Sequence, residues 1–303
     1  MTRPFRLGTR GSPLALWQAH MVADALCATH GWPPERIEIV PIKTTGDKVQ
    51  DRALAEIGGK ALWTKELDRA LLAEEIDFAV HSMKDVETIR PPEIVIAAMP
   101  PRADTRDRLI GADSLAALPP HARVGTSSPR RAAQVRRARP DATILLFRGN
   151  VDTRLRKLAE GEADATLLAA AGLDRLGRAD IGAALDELIP APAQGAVGIE
   201  ARAKDQAMLE LLAAIDHKPT SRCVMAERAL LAALGADCRA PVAALAQLDE
   251  GEIHLRAEIL NEEGTEWEAG EIRFAPDDRD APARLARQLL DRAAPSVRIL
   301  FAA

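Results

Sequence analysis

Short apolar runs alternate with stretches of helical spacing along the first two thirds of the chain. The first run covers residues 5–9. After it, Leu14, Trp17 and Met21 recur at the spacing of one helix face. Repeated strand–helix–strand units predict a mostly parallel sheet covered by helices. The predicted strands are 5–9, 36–43, 78–80, 94–98, 144–147, 165–168 and 197–200, with a further one beginning at Val124.

The pattern restarts after Pro101, and this predicts a second α/β lobe. A proline-containing crossover at 190–195 precedes the strand at 197–200, which can return the chain to the first sheet and leave two lobes around a cleft. The last third differs, because residues 252–259 alternate polar and apolar in the manner of a half-exposed antiparallel strand. With the runs at 242–248 and 268–274, and a final amphipathic helix, it predicts a small C-terminal α+β domain with a three-stranded antiparallel sheet.

We therefore expect three domains. The first joins residues 1–101 to residues 197–217, the second covers 102–196, and the third covers 218–303. A chain of 303 residues is long enough for this number.

Composition narrows the class of protein. With 47% hydrophobic and 28% charged residues the chain is typical of a globular soluble protein, and its net charge of −5 argues against nucleic acid or a membrane surface as a partner. Cys27, Cys223 and Cys238 lack the spacing of metal ligands, so no metal site is expected. An odd cysteine count and the absence of a signal-like or membrane-spanning apolar run favour the cytoplasm.

Residues 77–90 contain the clearest candidate for chemistry. The apolar run 78–80 is followed at once by His81, Ser82, Lys84 and Asp85. In an open α/β sheet, ligands bind beyond the carboxyl ends of strands. A lysine beside a carboxylate there suits a site that holds an anion and moves a proton, although a surface ion pair would show the same residues.

Two helix starts bring polar groups to strand ends. Ser12 can cap a helix with Pro13 at its first position, which puts Arg10 and Ser12 where an anion is favoured, although a purely structural cap fits as well. Ser127 or Ser128 can likewise cap a helix that starts at Pro129. The arginines that follow this second cap, Arg130 and Arg131, would repel one another unless an anion lay between them.

Several arginines lie at the ends of predicted strands or just beyond them. In a net-acidic chain this clustering predicts a ligand with several carboxylates or phosphates, because the planar guanidinium binds such groups bidentately. Unconnected surface arginines are the alternative. The cations in question are Arg130, Arg131, Arg148, Arg154 and Arg175.

Cys238 lies outside the helical patterns, in the loop between Gly235 and Pro241. Arg239 would favour its thiolate and Asp237 would oppose it. An idle loop cysteine fits the same residues.

Taken together, these segments resemble the porphobilinogen deaminase family along nearly the whole chain. The resemblance is carried by TRGSPLALWQ at 9–18, HSMKDV at 81–86, GTSSPRR at 125–131, RGN at 148–150, QGAVGIE at 194–200 and Cys238. Ala193 stands where that family has glycine, which would stiffen the crossover.

The resemblance implies two lobes folded like periplasmic binding proteins, and a dipyrromethane cofactor bound covalently to the sulfur of Cys238. It implies that four porphobilinogen molecules are joined head to tail, each with loss of ammonia, to give hydroxymethylbilane. Asp85 falls on the catalytic position, where a carboxylate can assist loss of ammonia, stabilise the cationic intermediate and take up the pyrrole proton.

The same resemblance assigns the remaining site residues. Cofactor contacts are implied for Asp47, Lys84, Thr126, Ser128, Arg130 and Arg131. Substrate contacts are implied for Arg10, Ser12, Arg148, Arg154, Arg175 and Gln194.

Two other functions compete with this one. A non-catalytic two-lobed binder of a polyanionic small molecule would explain the arginines but leaves Asp85 and Cys238 without a role. A phosphate-handling enzyme would use the glycine-rich loop at 58–60, but no set of carboxylates suited to magnesium lies next to that loop. The expected partners are porphobilinogen and the growing chain, with no nucleic acid or membrane, and the expected state is a monomer.

Overall fold

The computed structural model describes residues 3–44, 64–236 and 240–301. These residues form two compact units. The first contains residues 3–44, 64–103 and 195–221, and the second contains residues 104–194, 222–236 and 240–301. The predicted division into three domains, with its boundaries, stays a prediction.

The elements follow the predicted order with few exceptions. They are β1 Phe5–Arg10, α1 Pro13–His30, β2 Ile37–Ile42, α2 Lys65–Leu72, β3 Phe78–Ser82, β4 Ile94–Ala98, β5 Asp107–Ile110, β6 Arg123–Thr126, α3 Pro129–Ala138, β7 Thr143–Leu146, α4 Val151–Ala159, β8 Ala165–Ala169, α5 Ala170–Arg175, β9 Ala183–Leu185, β10 Val197–Arg202, α6 Gln206–Ala213, α7 Lys218–Ala233, β11 Val242–Asp249, β12 Glu252–Leu260, β13 Trp267–Phe274, α8 Ala281–Arg292 and α9 Pro295–Arg298.

The first unit is built on a five-stranded sheet with the order β2-β1-β3-β10-β4. Strands β1, β2 and β3 are parallel, whereas β10 runs antiparallel to both β3 and β4. The prediction that the strand after the crossover returns to the first sheet is therefore confirmed. The apolar core of this sheet includes Leu7, Val22, Leu26, Phe78 and Ile199.

Helix α1 shows how local signals position the first unit's candidate residues. The Ser12 hydroxyl accepts a hydrogen bond from the Ala15 amide at 3.3 Å, and Pro13 occupies the first helical position. The helix ends at Gly31, whose φ of 65° is the left-handed conformation that glycine adopts without strain. Ser12 is thus a helix cap, as its position beside Pro13 predicts.

The second unit contains another five-stranded sheet, with the order β7-β6-β8-β5-β9. Strands β6, β7 and β8 are parallel, and β5 is antiparallel to β8 and β9. This is the arrangement of the first sheet, with β5 in the place of β10. Each sheet is mixed, with two parallel and two antiparallel pairings, but four of its five strands run in the same direction, in agreement with the prediction.

A separate antiparallel sheet, in the order β11-β12-β13, also belongs to the second unit. It packs with α7 and α8 around an apolar core that includes Leu230, Leu255, Ile259, Leu285 and Leu289. The predicted three-stranded α+β portion is confirmed. Together with the two mixed sheets, it establishes the predicted fold class.

Among the residues that the structure describes, no helix combines the length and the apolar character that crossing a bilayer requires.

Candidate active site

The predicted catalytic residue Asp85 and its neighbour Lys84 lie in one turn after the central strand of the first sheet. β3 ends at Ser82, and Met83–Asp85 forms a single 3₁₀ turn. Met83 is buried, and its amide donates to the Ala196 carbonyl at 3.0 Å. A Cβ atom on Gly198 would lie 1.9 Å from the Met83 sulfur, so only glycine admits this packing. Met83 anchors the turn and leaves Lys84 and Asp85 partly exposed.

Arg10 lies beside this turn. It ends β1, which pairs with β3, and its Nη1 is 4.0 Å from Oδ2 of Asp85. The Asp85 side chain keeps 36% of its surface exposed and the Arg10 side chain 20%. The fold thus brings together two residues that are 75 positions apart in sequence, and leaves the carboxylate within reach of a ligand.

Behind the turn lies a buried carboxylate, Glu200 on β10. Its Oε2 is 3.1 Å from His81 Nε2, and its two oxygens accept hydrogen bonds from Arg90 Nε at 2.7 Å and Nη2 at 2.9 Å. Burial alone would raise the pKa of Glu200, but His81 and Arg90 together lower it to about 2. Because His81 begins the segment 81–90 and Arg90 ends it, Glu200 fixes both ends of the segment that carries Lys84 and Asp85.

Arg90 extends this network to α2. Its Nη2 donates to Asp68 at 2.5 Å, and its Nη1 donates to Glu87 at 2.7 Å. Glu87 also accepts from the Thr64 hydroxyl at 2.7 Å. Burial, the largest effect on Asp68, raises the pKa of that carboxyl despite the nearby guanidinium. We did not predict Arg90, Asp68, Glu87 or Thr64 as functional, since each appears in sequence as an ordinary polar position.

The arginine pair of the second unit follows a helix start that was predicted from its cap. The Thr126 hydroxyl accepts from the Ser128 amide at 3.2 Å, and the Ser128 hydroxyl accepts from the Arg131 amide at 3.4 Å. Pro129 occupies the first position of α3. Of the two candidate caps Ser127 and Ser128, the structure selects Ser128.

An anion does lie between Arg130 and Arg131, and it is Asp107. Arg131 donates to Asp107 Oδ1 from Nη2 at 2.6 Å and from Nε at 3.2 Å, while Arg130 Nη1 lies 2.8 Å from Oδ2. All three side chains are buried. Burial alone would raise the pKa of Asp107, but the two arginines hold it far below its ordinary range.

Gln194 completes the surroundings of Asp107. Its side-chain nitrogen donates to Asp107 Oδ1 at 2.8 Å and to the Thr105 carbonyl at 2.8 Å, and the residue is fully buried. The substrate contact predicted for Gln194 stays a prediction.

The other predicted arginines of the second unit lie near the ends of elements. Arg154 donates from Nε to the Gly149 carbonyl at 3.0 Å and from Nη2 to the Ser127 hydroxyl at 3.1 Å. Arg148 is buried just after β7, and Arg175 is partly buried at the end of α5. Burial lowers the pKa of Arg175, although Asp174 opposes this effect. Their roles in substrate binding stay predictions.

Two predicted site residues, Asp47 and Cys238, lie outside the described residues, as do the glycine-rich loop at 58–60 and the neighbours Asp237 and Arg239.

Comparison with known proteins identifies the class of protein. Residues 5–210 match the family described as porphobilinogen deaminase, dipyromethane cofactor binding domain, and residues 221–291 match porphobilinogen deaminase, C-terminal domain. The chain belongs to the porphobilinogen deaminase family, as the sequence motifs indicated.

Individual relatives agree over nearly the full length. The porphobilinogen deaminase of Sphingopyxis alaskensis is 59% identical over 307 aligned positions, which cover 99% of this chain and 97% of that protein. The porphobilinogen deaminase of Paracoccus denitrificans is 49% identical over 296 positions, covering 96% and 95%. Among solved structures, an ancestral cationic amino acid solute binding protein aligns at 17% identity with a TM-score of 0.45, covering 69% of this chain and 86% of that one.

Proposed function

We propose that this chain is a transferase of tetrapyrrole biosynthesis that condenses porphobilinogen head to tail, with loss of ammonia, to give hydroxymethylbilane. The family match carries this proposal, since it spans both the cofactor-binding and the C-terminal domains. The geometry supports it through the anchored turn that presents Lys84 and Asp85 beside Arg10.

The family's dipyrromethane cofactor fits an observation in the second unit. The Nε of Arg130 is buried and has no hydrogen-bond partner among the described residues. A buried donor without an acceptor is costly, and a carboxylate oxygen of a ligand would satisfy it. When bound to Cys238, the cofactor supplies the pyrrole primer on which the product is built. Lys84, Thr126, Ser128, Arg130 and Arg131 would hold its acidic side chains, and Asp47 would contact the cofactor away from those carboxylates.

Asp85 is the proposed catalytic residue. Loss of ammonia breaks a carbon–nitrogen bond and leaves positive charge on the substrate pyrrole, and joining two pyrroles forms a carbon–carbon bond and releases a ring proton. A carboxylate serves both events, because it stabilises the positive charge and then accepts the proton. The partial exposure of Asp85 supports this role, since substrate must reach it.

The cations around these two sites would hold the acidic side chains of porphobilinogen. Arginine suits this task because its planar fork matches a carboxylate in two hydrogen bonds. The proposed substrate-binding residues are Arg10, Ser12, Arg148, Arg154, Arg175 and Gln194.

A non-catalytic binding protein is not favoured, because the relatives that match over the whole chain are named as deaminases. We further propose that the chain acts as a cytoplasmic monomer without nucleic acid or membrane partners. Size-exclusion chromatography with light scattering of the purified chain, with and without porphobilinogen, checks the monomer.

Intact-protein mass spectrometry tests the proposed function most directly. Cofactor-free protein incubated with porphobilinogen should gain the mass of two linked pyrroles, while Cys238→Ser should gain nothing. Cys27→Ser is the matched control, because Cys27 is a half-buried cysteine of α1 that should leave the gain intact. No gain in the wild type, or an equal gain in Cys238→Ser, would reject the proposal.

A further inference from the structure

Asp107 is a buried carboxylate that none of the sequence motifs includes. It lies at the first position of β5, where the ladder pairs it with Ala169 at the carboxyl end of β8 and with Leu185 of β9. This places it at the edge of the sheet where α3 begins. Gln194 adds a hydrogen bond to Oδ1 at 2.8 Å, so both backbone and side chain of Asp107 are held in place.

We propose that Asp107 is a positioning residue that holds Arg130 ready for a carboxylate of the dipyrromethane cofactor, while Arg131 completes the buried cluster that keeps Asp107 in place. This inference rests on the function proposed above. It assigns to Asp107 a task that is separate from contact with the cofactor, since its own charge would repel a carboxylate.

The charges around Asp107 support this assignment. Two buried guanidinium groups of like charge are strongly destabilising without a counterion. One carboxylate between them offsets part of that repulsion and leaves the buried trio with a net charge of +1, from two arginines and one aspartate. The trio therefore still attracts an anionic ligand. A second carboxylate from the protein would neutralise the cluster and remove that attraction. Without any carboxylate from the protein, the two arginines would repel one another.

The distribution of hydrogen bonds gives the two arginines different tasks. Arg131 is tied to the protein, because its Nε and Nη2 donate to Asp107 and its Nη1 donates to the Leu167 carbonyl at 3.0 Å. Arg130 uses Nη1 on Gln134 at 2.8 Å and on the Ile189 carbonyl at 3.2 Å. Its Nε has no acceptor among the described residues, so this is the donor that Asp107 holds available.

The rate of cofactor loading tests this assignment without measuring turnover. Full-length cofactor-free protein is mixed with excess porphobilinogen, and the mass gain is followed over time by intact-protein mass spectrometry. Asp107→Asn should take up the cofactor at least about tenfold more slowly than wild type. The reason is that removing one partner of a buried charge pair weakens the contacts that depend on the pair by more than tenfold.

Asp164→Asn is the matched control. Asp164 pairs with Arg123 at 2.8 Å in the same unit, but this pair lies at the surface and is partly exposed, so loading should stay within about twofold of wild type. A general effect of losing a carboxylate would slow both variants.

A double variant separates positioning from a merely structural role. If Asp107 acts through the arginine, Asp107→Asn combined with Arg130→Gln should load no more slowly than Arg130→Gln alone. Independent structural effects would multiply instead, and that result would overturn the proposal, as would wild-type loading in Asp107→Asn.

If Asp107→Asn does not fold, Asp107→Glu gives the answer. It keeps the charge but moves the carboxylate by one methylene, so slow loading with cooperative unfolding supports positioning, and wild-type loading rejects it. Wild-type protein that gains no mass would instead reject the proposed function, and this inference with it.

Discussion

Arg90 donates two hydrogen bonds to Glu200, from Nε at 2.7 Å and from Nη2 at 2.9 Å, although the two residues are 110 positions apart. The pair joins the end of the segment 81–90 to β10, and the same carboxylate lies 3.1 Å from His81 at the start of the segment. The segment that carries Lys84 and Asp85 is therefore held at both ends by one buried carboxylate. Its geometry depends on a planar guanidinium at position 90.

Replacing that guanidinium tests its importance. Arg90→Lys keeps the charge but cannot donate to Glu200, Glu87 and Asp68 together, so buried carboxylates lose partners. We expect the free energy of unfolding to fall by about 3 kcal/mol, measured by urea denaturation. Arg69→Lys is the control, because Arg69 forms a comparable fork on Glu75 at the surface and should show no measurable loss. Equal behaviour of the two variants would contradict the network's role.

The lowered pKa of Glu200 predicts a pH dependence of stability. The pKa of Glu200 in the folded protein is about 2, below the ordinary value of 4.5. The ionised carboxylate therefore contributes fully to the free energy of unfolding above pH 4.5, and this contribution is lost as the pH falls toward 2. The contribution is on the order of 3 kcal/mol. Unfolding free energies measured between pH 6 and pH 3 should fall less steeply in Glu200→Gln than in wild type. Parallel curves would show that Glu200 titrates normally.

Local signals explain what the sequence could predict. Ser12 with Pro13, and Ser128 with Pro129, start helices through contacts within three residues, so both starts were found. The turn at Lys84 and Asp85 was also found, because an apolar run directly precedes it.

Asp107 was missed for a non-local reason. Its strand has only four residues, and the first two are both charged, so no apolar run identifies it. The strand conformation comes from pairing with β8 and β9 on either side. We expected an anion between Arg130 and Arg131 and interpreted it as ligand. The structure shows that the chain itself supplies one, from a residue 24 positions before Arg131.

Ala193 adopts an unusual backbone conformation that predicts a stabilising substitution. Its φ is 62°, in the left-handed region, and its amide donates to the buried carboxylate of Glu227 at 2.5 Å. The family glycine expected here would adopt this conformation without strain. Ala193→Gly should therefore raise the free energy of unfolding by up to about 1 kcal/mol. This is a net figure, in which the relief of strain exceeds the greater conformational entropy that glycine gives the unfolded chain.

Ala196→Gly is the matched control for this position. Ala196 is also buried, directly after the crossover, but its φ is not positive, so glycine should lower the free energy of unfolding by about 1 kcal/mol. Thermal or urea unfolding of both variants gives the comparison. A loss of stability in Ala193→Gly as large as in Ala196→Gly would show that position 193 carries no strain.

Asp85→Asn tests the proposed catalytic carboxylate. An amide cannot accept the pyrrole proton or balance the positive charge left by ammonia, so turnover should fall by about 10²–10⁴-fold. Folding should be unchanged, since the Asp85 side chain is partly exposed and the turn is anchored by Met83 and Glu200 instead.

The measurement is the rate of ammonia release from porphobilinogen, with cofactor content checked by intact mass. Asp113→Asn, a change at an exposed loop aspartate, should keep the wild-type rate. If Asp85→Asn loses turnover because it lacks cofactor, its mass will show this, and the carboxylate is then needed for assembly. If it carries full cofactor and still releases ammonia at the wild-type rate, another group must be the catalytic base, because the amide of asparagine cannot accept the proton.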